Sequence, residues 1–236
     1  MKSRVIVVLG ILFLVSQVGA QEKLVLKNQK EKVSYIIGMD IGGNLKKQPV
    51  DIDQKILAKG IQDGLAGAKS LLTDQETQET MVAFRREMIA KQEEVAKKNK
   101  VDGEAFLGEN KKKEGVKTLP SGLQYKVIKA GTDKKPKLSD SVTSQYRGTL
   151  IDGTEFDSSY KRGQPVTFPV SGVIPGWTEA LQLMGEGAKW QIFVPSNLAY
   201  GERGAGGVIG PNATLIFEIE LISIQEKKQE NKEEKK

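Results

Sequence analysis

Between Asn28 and about Lys113, apolar residues recur at steps of three and four, which is the period of amphipathic helices. A first helix is predicted to begin after Asn28, because Asn28 and Glu31 form a capping-box pattern. A second helix is predicted after Pro49, with Asp51 as its N-cap. Residues 21–72 are therefore predicted to form an all-α N-terminal domain. The two apolar stripes are Val33, Ile36, Ile37, Ile41 and Leu45, and then Ile52, Ile56, Leu57, Ile61 and Leu65.

Spaced glycines accompany both stripes, although a glycine inside a helix costs about 1 kcal/mol relative to alanine. Their spacing indicates that helix backbones approach each other closely. It fits two helices packed within one chain, and it fits a helical interface between two chains equally well. The residues by themselves leave both interpretations open. The glycines are Gly38 and Gly42 in the first helix and Gly60, Gly64 and Gly67 in the second.

A third helix is predicted over residues 73–114, because Thr73 and Glu76 form a capping box and no proline follows. Roughly 40 residues in one helix extend ~60 Å. Such a helix cannot bury itself in a small globule when its apolar stripe is thin, so it is predicted to be a connecting stalk. Asp102–Gly103 is its weakest point, where a bend is allowed. The stripe consists of Met81, Phe84, Met88, Val95 and Phe106.

After Gly115 the apolar period changes to two, which indicates strands. Asp152–Gly153 is a strong hairpin-turn signal between two of them. Residues 176–184 are the only helical stretch in this half. Residues 119–225 are therefore predicted to form an antiparallel sheet wrapped on one short helix, which makes the fold class α+β. The strands are predicted at 123–127, 142–150, 166–170, 190–194 and 215–222.

The two ends of the chain are predicted to lie outside these domains. Lys2 and Arg4 precede an apolar run over residues 5–15, and the small residues up to Ala20 form an acceptable cleavage site. The run is too short to span a bilayer, so residues 1–20 are predicted to be a signal peptide that is cut after Ala20. We therefore expect a periplasmic or secreted protein. The Lys- and Glu-rich tail over residues 226–236 is predicted to be disordered.

The composition limits the kinds of catalytic and metal-binding chemistry that this chain can perform. The 236 residues include no histidine and no cysteine, which excludes imidazole bases, Ser-His-Asp triads, thiol nucleophiles, disulfides and thiolate metal sites. No metal and no cofactor are expected. The formal charge of +6 does not indicate nucleic acid, because lysines alternate with acidic residues, as in residues 91–94 and 226–228.

Aromatic and branched residues are concentrated at the turns and strand ends of the C-terminal half. They could be ordinary core, but residues 156–159, 173–177 and 199–201 favour a pocket. These segments place a carboxylate after an aromatic, a tryptophan at a helix start and a tyrosine beside a glycine loop. The glycine-rich stretch 201–210 lacks the spacing and the following helix of a phosphate-binding loop.

The ordered motifs resemble those of the FKBP-type peptidyl-prolyl isomerases, specifically the bacterial two-domain group that includes the macrophage infectivity potentiator. The resemblance covers nearly the whole chain after residue 20. Its weaker N-terminal motifs are Tyr35-Ile-Ile-Gly and Gly60-Ile-Gln-Asp-Gly. The C-terminal motifs are Tyr146-Arg-Gly-Thr-Leu, Gly153-Thr-Glu-Phe-Asp-Ser-Ser, Val173-Ile-Pro-Gly-Trp, Leu183-Met-Gly-Glu-Gly, Leu198-Ala-Tyr-Gly, Val208-Ile and Leu215-Ile-Phe-Glu-Ile-Glu-Leu.

The resemblance implies which residues form the site. Trp177 would be the floor of the pocket, Asp157 and Tyr200 would supply polar contacts, and the Ile174 N–H would donate to the substrate. Arg162 would support Asp157. The residues implied as catalytic are Tyr146, Asp157, Ile174, Trp177 and Tyr200. Those implied as substrate-binding are Phe156, Arg162, Val166, Phe168, Val173, Val208, Ile209 and Phe217. Many members carry an aromatic residue at the position of Val166, so this pocket is expected to be more open on that side. Many also carry a histidine in the loop near Ala205, and its absence here indicates that the basic reaction does not need it.

The resemblance also implies the partners. In that group the N-terminal helices form a homodimer and a long helix carries each catalytic domain outward. The expected substrates are unfolded or partly folded proteins with X–Pro bonds, and macrolides are the expected inhibitors. The expected activity is X–Pro isomerisation during the folding of exported proteins, together with chaperone activity. The alternative is a dimeric holdase or binding module with little isomerase activity.

Overall fold

The computed structural model describes residues 25–46 and 50–226. These residues form two compact units. The first ends at Asn44 and the second begins at Leu45. The predicted signal peptide at residues 1–20 and the tail beyond residue 226 lie outside the described residues. No helix of the described ranges is long and apolar enough to cross a lipid bilayer.

The first unit contains most of helix α1 (Gln29–Lys46). Asn28 caps it as predicted, because its side-chain oxygen accepts from the Glu31 N–H at 3.0 Å while Glu31 accepts from the Lys27 N–H at 2.6 Å. None of the helix's residues is buried in this chain. Its apolar side chains are therefore exposed rather than packed.

Helix α2 (Gln54–Ala66) begins two residues later than the predicted cap requires. Asp53, and not Asp51, is the N-cap, since its carboxylate accepts from the N–H groups of Lys55 at 2.8 Å and Ile56 at 3.1 Å. The helix ends where Gly67 adopts a left-handed conformation with φ of 65°.

Helix α3 (Asp74–Asn110) has the capping box that was predicted from Thr73 and Glu76. The helix continues without interruption through Asp102–Gly103. Gly103 is buried, and a Cβ placed on it would collide with Thr214 Oγ1. The glycine therefore marks a close approach between the helix and the C-terminal part of the chain.

The C-terminal part is one antiparallel sheet with one α-helix, α4 (Pro175–Leu183), packed against it. The strand order is β1-β2-β6-β7-β3-β4, and β5 pairs with β3. The predicted α+β class is confirmed. The strands are β1 (Val116–Thr118), β2 (Gln124–Lys129), β3 (Ser141–Leu150), β4 (Glu155–Ser158), β5 (Val166–Pro169), β6 (Lys189–Val194) and β7 (Leu215–Gln225).

The core lies between α4 and the concave face of the sheet. Along β7 alternate residues are buried, which is the period-two pattern of a strand with one face inward. Helix α4 contributes Trp177, Ala180 and Leu181 to the same core. The buried residues of β7 are Leu215, Phe217, Ile219, Leu221 and Ile224.

The end of α3 is attached to this domain through β2. The Gln124 amide donates to the Leu107 carbonyl at 2.9 Å and accepts from Asn110 Nδ2 at 2.9 Å. The ring of Phe106 lies 6.0 Å from that of Phe193. The sheet and the last turns of the long helix are therefore packed together within the second unit.

Candidate active site

A cavity of about 640 Å³ opens at one edge of the core, beside the start of α4. Side chains from β3, β4, β5, β7, α4 and the loop after β6 converge on it. The lining residues are Tyr146, Phe156, Asp157, Phe168, Gly172, Val173, Ile174, Trp177, Tyr200, Ala205, Gly206, Val208, Ile209 and Phe217.

Trp177 forms the inner end of the cavity and is only 4% exposed. Tyr146 and Phe217 meet its indole edge-on, with ring centroids at 5.1 and 5.2 Å and interplanar angles of 90° and 89°. Phe168 lies 5.5 Å away at 63°. Edge-to-face contacts of this kind stabilise aromatic clusters beyond their buried area. They also fix the indole, so the cavity is rigid at its base.

Two glycines make this ring cluster sterically possible. A Cβ on Gly148 of β3 would lie 2.6 Å from Phe156 Cζ and 2.8 Å from Phe217 Cε1. A Cβ on Gly176 would lie 2.5 Å from Val194 Cγ1. Both positions were missed as site residues, although a glycine inside a strand pattern signals a close approach. Gly172, Ala205 and Gly206 also line the cavity without having been predicted.

One carboxylate, that of Asp157, reaches the cavity wall. The Tyr146 hydroxyl donates to Asp157 Oδ2 at 2.6 Å, and Arg162 Nη2 donates to the Tyr146 hydroxyl at 2.6 Å. Arg162 Nη1 also donates to Asp157 Oδ1. Asp157 and Arg162 are about two-fifths exposed. The three side chains form a closed triangle that holds the carboxylate in one orientation.

Burial and hydrogen bonding act in opposite directions on this carboxylate. Burial favours the neutral acid and raises the pKa of Asp157, but hydrogen bonds from Tyr146 and Arg162 outweigh it and hold the pKa below its ordinary value. Burial, followed by the hydrogen bond to Asp157, raises the pKa of Tyr146. At neutral pH the pair is therefore an anion and a neutral phenol.

The entry to α4 supplies a backbone donor. The Ile174 carbonyl accepts from the N–H groups of Trp177 at 2.9 Å and Thr178 at 3.1 Å, and Pro175 occupies the first helical turn. Within the described residues the Ile174 N–H itself donates to no acceptor. It is available to a ligand in the cavity.

The loop between β6 and β7 forms the outer rim. Tyr200 and Val208 are 41% and 40% exposed, whereas Ile209 is buried. Two predicted site residues lie outside the lining. Arg162 contacts Asp157 from behind, and Val166 pairs with Ser144 in the sheet without reaching the cavity wall.

The described residues contain no cluster of acidic side chains that could hold a metal ion. The fold and the cavity define an α+β domain with an apolar cavity beside a tryptophan, one fixed carboxylate and one open backbone donor. Among the residues that the structure describes, no serine, threonine, lysine, cysteine or histidine lines this cavity.

Comparison with known proteins identifies the family. Residues 30–127 match the domain amino-terminal to FKBP-type peptidyl-prolyl isomerases, and residues 132–222 match the FKBP-type peptidyl-prolyl cis-trans isomerase domain. The chain is 53% identical over 211 residues to the "Outer membrane protein MIP" of Legionella longbeachae, covering 88% of this chain and 91% of that one. It is 42% identical over 218 residues to the isomerase FkpA of Escherichia coli K12, covering 88% of this chain and 80% of that one.

A solved structure agrees. The crystal structure of FkpA from Escherichia coli matches 85% of this chain and 99% of its own, with 40% identity and a TM-score of 0.61. This chain therefore belongs to the FKBP-type peptidyl-prolyl cis-trans isomerases, in the group with an amino-terminal helical domain. The predicted family and enzyme class are confirmed.

The electrostatics of the cavity predict a flat pH profile. The chain has no histidine, the pKa of Asp157 is lowered and that of Tyr146 is raised, so neither Asp157 nor Tyr146 changes charge between about pH 5 and 8.5. We expect kcat/KM for a short X–Pro peptide to be constant over that range, measured by a protease-free assay. A bell-shaped profile centred near neutrality would contradict this assignment.

The sign of the effect at low pH follows from the lowered pKa. The carboxylate's contribution to folding is complete above the ordinary pKa of an aspartic acid, about 3.9, and is lost as the pH falls through the lower folded value. Both activity and stability should therefore decline as the pH falls below about 4.

Proposed function

We propose that the cavity holds the proline ring of an X–Pro segment against Trp177 and isomerises the preceding peptide bond. The observation that carries the proposal is the combination of an aromatic enclosure with a fixed Asp157 carboxylate and an open Ile174 N–H. In this arrangement the ring enters the apolar part while the backbone on either side meets the two polar groups at its rim.

Rotation about an X–Pro bond needs no covalent chemistry. The barrier is about 18–20 kcal/mol because twisting the amide removes its resonance, and uncatalysed exchange takes tens to hundreds of seconds. The twisted amide has less charge separation than the planar one, so an enclosure of aromatic rings favours it relative to water. An acceleration of about a million-fold corresponds to roughly 8 kcal/mol of differential binding.

The role proposed for each residue follows from its position around the bound segment. Trp177 supports the proline ring, and Tyr146 contributes both an aromatic wall and the hydroxyl that orients Asp157. Asp157 contacts the amide as it twists, and the Ile174 N–H donates to the neighbouring carbonyl oxygen. Tyr200 contacts the chain at the rim. The remaining contacts are apolar, from Phe156, Phe168, Val173, Val208, Ile209 and Phe217, and the same enclosure suits macrolide inhibitors.

The central test replaces Asp157→Asn, which keeps the size of the side chain and removes its charge. We expect kcat/KM for an X–Pro peptide to fall about tenfold, because one charge-assisted contact to the twisting amide is lost. The matched control is Glu155→Gln on the same strand, an acid paired with Arg147 and Lys161 outside the cavity. Equal activity of both variants would contradict the role of Asp157, and an inactive parent chain would contradict the proposed function itself.

We further propose that α1 forms an interface with a second copy of the chain. The helix leaves a dense set of large apolar side chains in solvent, and exposed apolar patches of this kind mark interaction sites. A homodimer buries them. The exposed side chains are Val33 at 46%, Tyr35 at 52%, Ile36 at 65%, Ile37 at 54%, Met39 at 60% and Ile41 at 37%.

Replacing Ile36→Glu places a charge in the centre of that patch. We expect the dimer to dissociate, observed as a halved mass by sedimentation or light scattering, because an unpaired charge is costly to bury at an interface. Gln29→Glu, at the first residue of α1, adds the same charge outside the patch and should remain dimeric. A wild-type chain that is monomeric at micromolar concentration would refute the dimer.

A second function, the holding of unfolded chains, is supported by the exposed apolar residues of α3. Met81, Val82 and Ile89 are each about half exposed, and Phe84 is 37% exposed. Surfaces of this kind bind extended apolar segments without a fixed sequence. We propose that these residues retain unfolded substrates near the isomerase cavity.

The holding function separates from isomerisation by mutation. In the full chain, Phe84→Ser with Ile89→Ser should weaken the suppression of aggregation of a proline-independent client, while kcat/KM for a short peptide stays unchanged. Asp157→Asn should do the reverse. Gln78→Ser is the control on the same helix. If the double variant still protects the client as well as the parent chain does, α3 is not the holding surface.

The location we propose is outside the cytoplasm, either periplasmic or secreted. Support comes from the charged and apolar pattern of residues 1–20 and from the name of the Legionella relative, which is called an outer membrane protein. Folding of exported proteins is the role that follows for a prolyl isomerase in that compartment.

A further inference from the structure

We propose that α3 is a positioning element of the isomerase site: through Asn99 and Gly103 it holds the rim loop, residues 200–214, in place over Trp177. This inference rests on the proposed function, since the rim loop matters only if the cavity binds substrate. It assigns to the long helix a part in substrate binding that is separate from holding unfolded chains.

Hydrogen bonds join the helix directly to the rim loop. Asn99 Nδ2 donates to the Pro211 carbonyl at 2.8 Å, and Asn212 Nδ2 donates to the Ala96 carbonyl at 3.4 Å. The first has the usual length of an N–H···O bond, while the second is longer than the usual range and is a weaker contact. The two amides point in opposite directions, so each element supplies a donor to the other's backbone.

The helix and the rim loop also approach each other closely at two glycines. A Cβ on Gly103 would collide with Thr214 Oγ1, and Thr214 is only 5% exposed. A Cβ on Gly210 would lie 2.9 Å from Asn99 Nδ2 and 3.3 Å from Val95 Cγ1. One glycine on each side therefore sets the separation, and neither position has room for a methyl group without displacement.

The same contacts lead to the cavity wall. The Asn212 N–H donates to the Gly201 carbonyl at 2.8 Å, next to Tyr200. Ala205 and Ile209 exchange backbone hydrogen bonds of 2.8 and 3.0 Å, which closes the tip of the loop. A movement of residues 210–214 would therefore carry Tyr200 at one end of the rim and Ile209 at the other.

The backbone preferences of the rim loop do not fix its position relative to the cavity. Gly204, Gly206 and Gly207 all have positive φ, a region that glycine enters without cost and leaves as easily. Asn212, with φ of 56°, is the one non-glycine residue with positive φ within the described ranges. Glycine adopts this φ at a lower conformational cost. The asparagine is therefore explained by its side chain, which contacts α3.

The test compares two glycine-to-alanine changes in the same helix. Gly103→Ala forces the rim loop away, whereas Gly108→Ala gives the same gain in helix propensity with nothing within 4 Å of the new Cβ. We expect Gly103→Ala to raise KM for an X–Pro peptide about threefold to tenfold with little change in kcat, because the rim contributes binding rather than rotation. Gly108→Ala should match the parent chain in both parameters.

Rescue and exchange measurements separate positioning from loss of stability. Thr214→Ala in the Gly103→Ala background removes the colliding hydroxyl and should restore KM. Amide exchange in residues 205–209 should accelerate in Gly103→Ala while the β3–β7 pairing keeps its protection. If Gly103→Ala does not fold, Asn99→Ala, with exposed Lys100→Ala as its control, tests the same contact and should also raise KM.

The outcomes are distinguishable. An active parent chain whose Gly103→Ala and Asn99→Ala variants keep the parental KM would overturn the positioning role and leave the proposed function intact. An inactive parent chain would overturn the proposed function first. A KM increase that Thr214→Ala does not reverse, accompanied by faster exchange throughout the sheet, would show general destabilisation and also count against the proposal.

Discussion

The contact on which the rest of the site depends is that between Trp177 and the concave face of the sheet. Trp177 lies at the start of α4, and Gly176 beside it allows the helix to approach Val194 of β6 more closely than any side chain would permit. Tyr146, Phe168 and Phe217 then meet the indole from three strands. Because these rings come from different elements, the base of the cavity forms only when β3, β5 and β7 are paired.

An apolar cavity disfavours a charged carboxylate, and the hydrogen bonds around Asp157 offset this effect. Burial alone would raise the pKa of Asp157, but Tyr146 and Arg162 each donate to the carboxylate and hold its pKa below the ordinary value. Tyr146 belongs to both parts, since its ring packs on Trp177 while its hydroxyl orients the acid. The polar and apolar halves of the site therefore share one side chain and cannot be displaced independently.

Local patterns predicted the local structure well. Thr73 and Glu76 identified the start of α3 because a capping box involves residues three positions apart. The start of α2 was placed two residues early, because Asp51 and Asp53 have the same chemistry and only the backbone decides which one caps. The period-two strands and the single short helix of the C-terminal half were predictable for the same reason, and the aromatic set was found through its motifs.

The contacts of α3 with the rim loop, which the sequence did not reveal, join residues more than a hundred positions apart. Gly103 was interpreted as a weak point in the helix because its partner, Thr214, is remote in the chain and visible only in three dimensions. Asn99 and Asn212 carry no pattern at all. Gly148 could have been noticed as a glycine within a strand, but the two phenylalanine rings that require it come from β4 and β7.

The contacts of α3 with the C-terminal sheet change where the boundary between the two domains should be placed. The family match to the amino-terminal domain extends to residue 127, and so includes β1 and most of β2, which are strands of the isomerase sheet. Gln124 of β2 in turn bonds to both Leu107 and Asn110 of α3. The last turns of the long helix and the first strands of the sheet are thus one packed structure. A fragment that begins at the isomerase match, residue 132, would lack two strands and the support of the rim loop together, so its activity would not report that of the intact site.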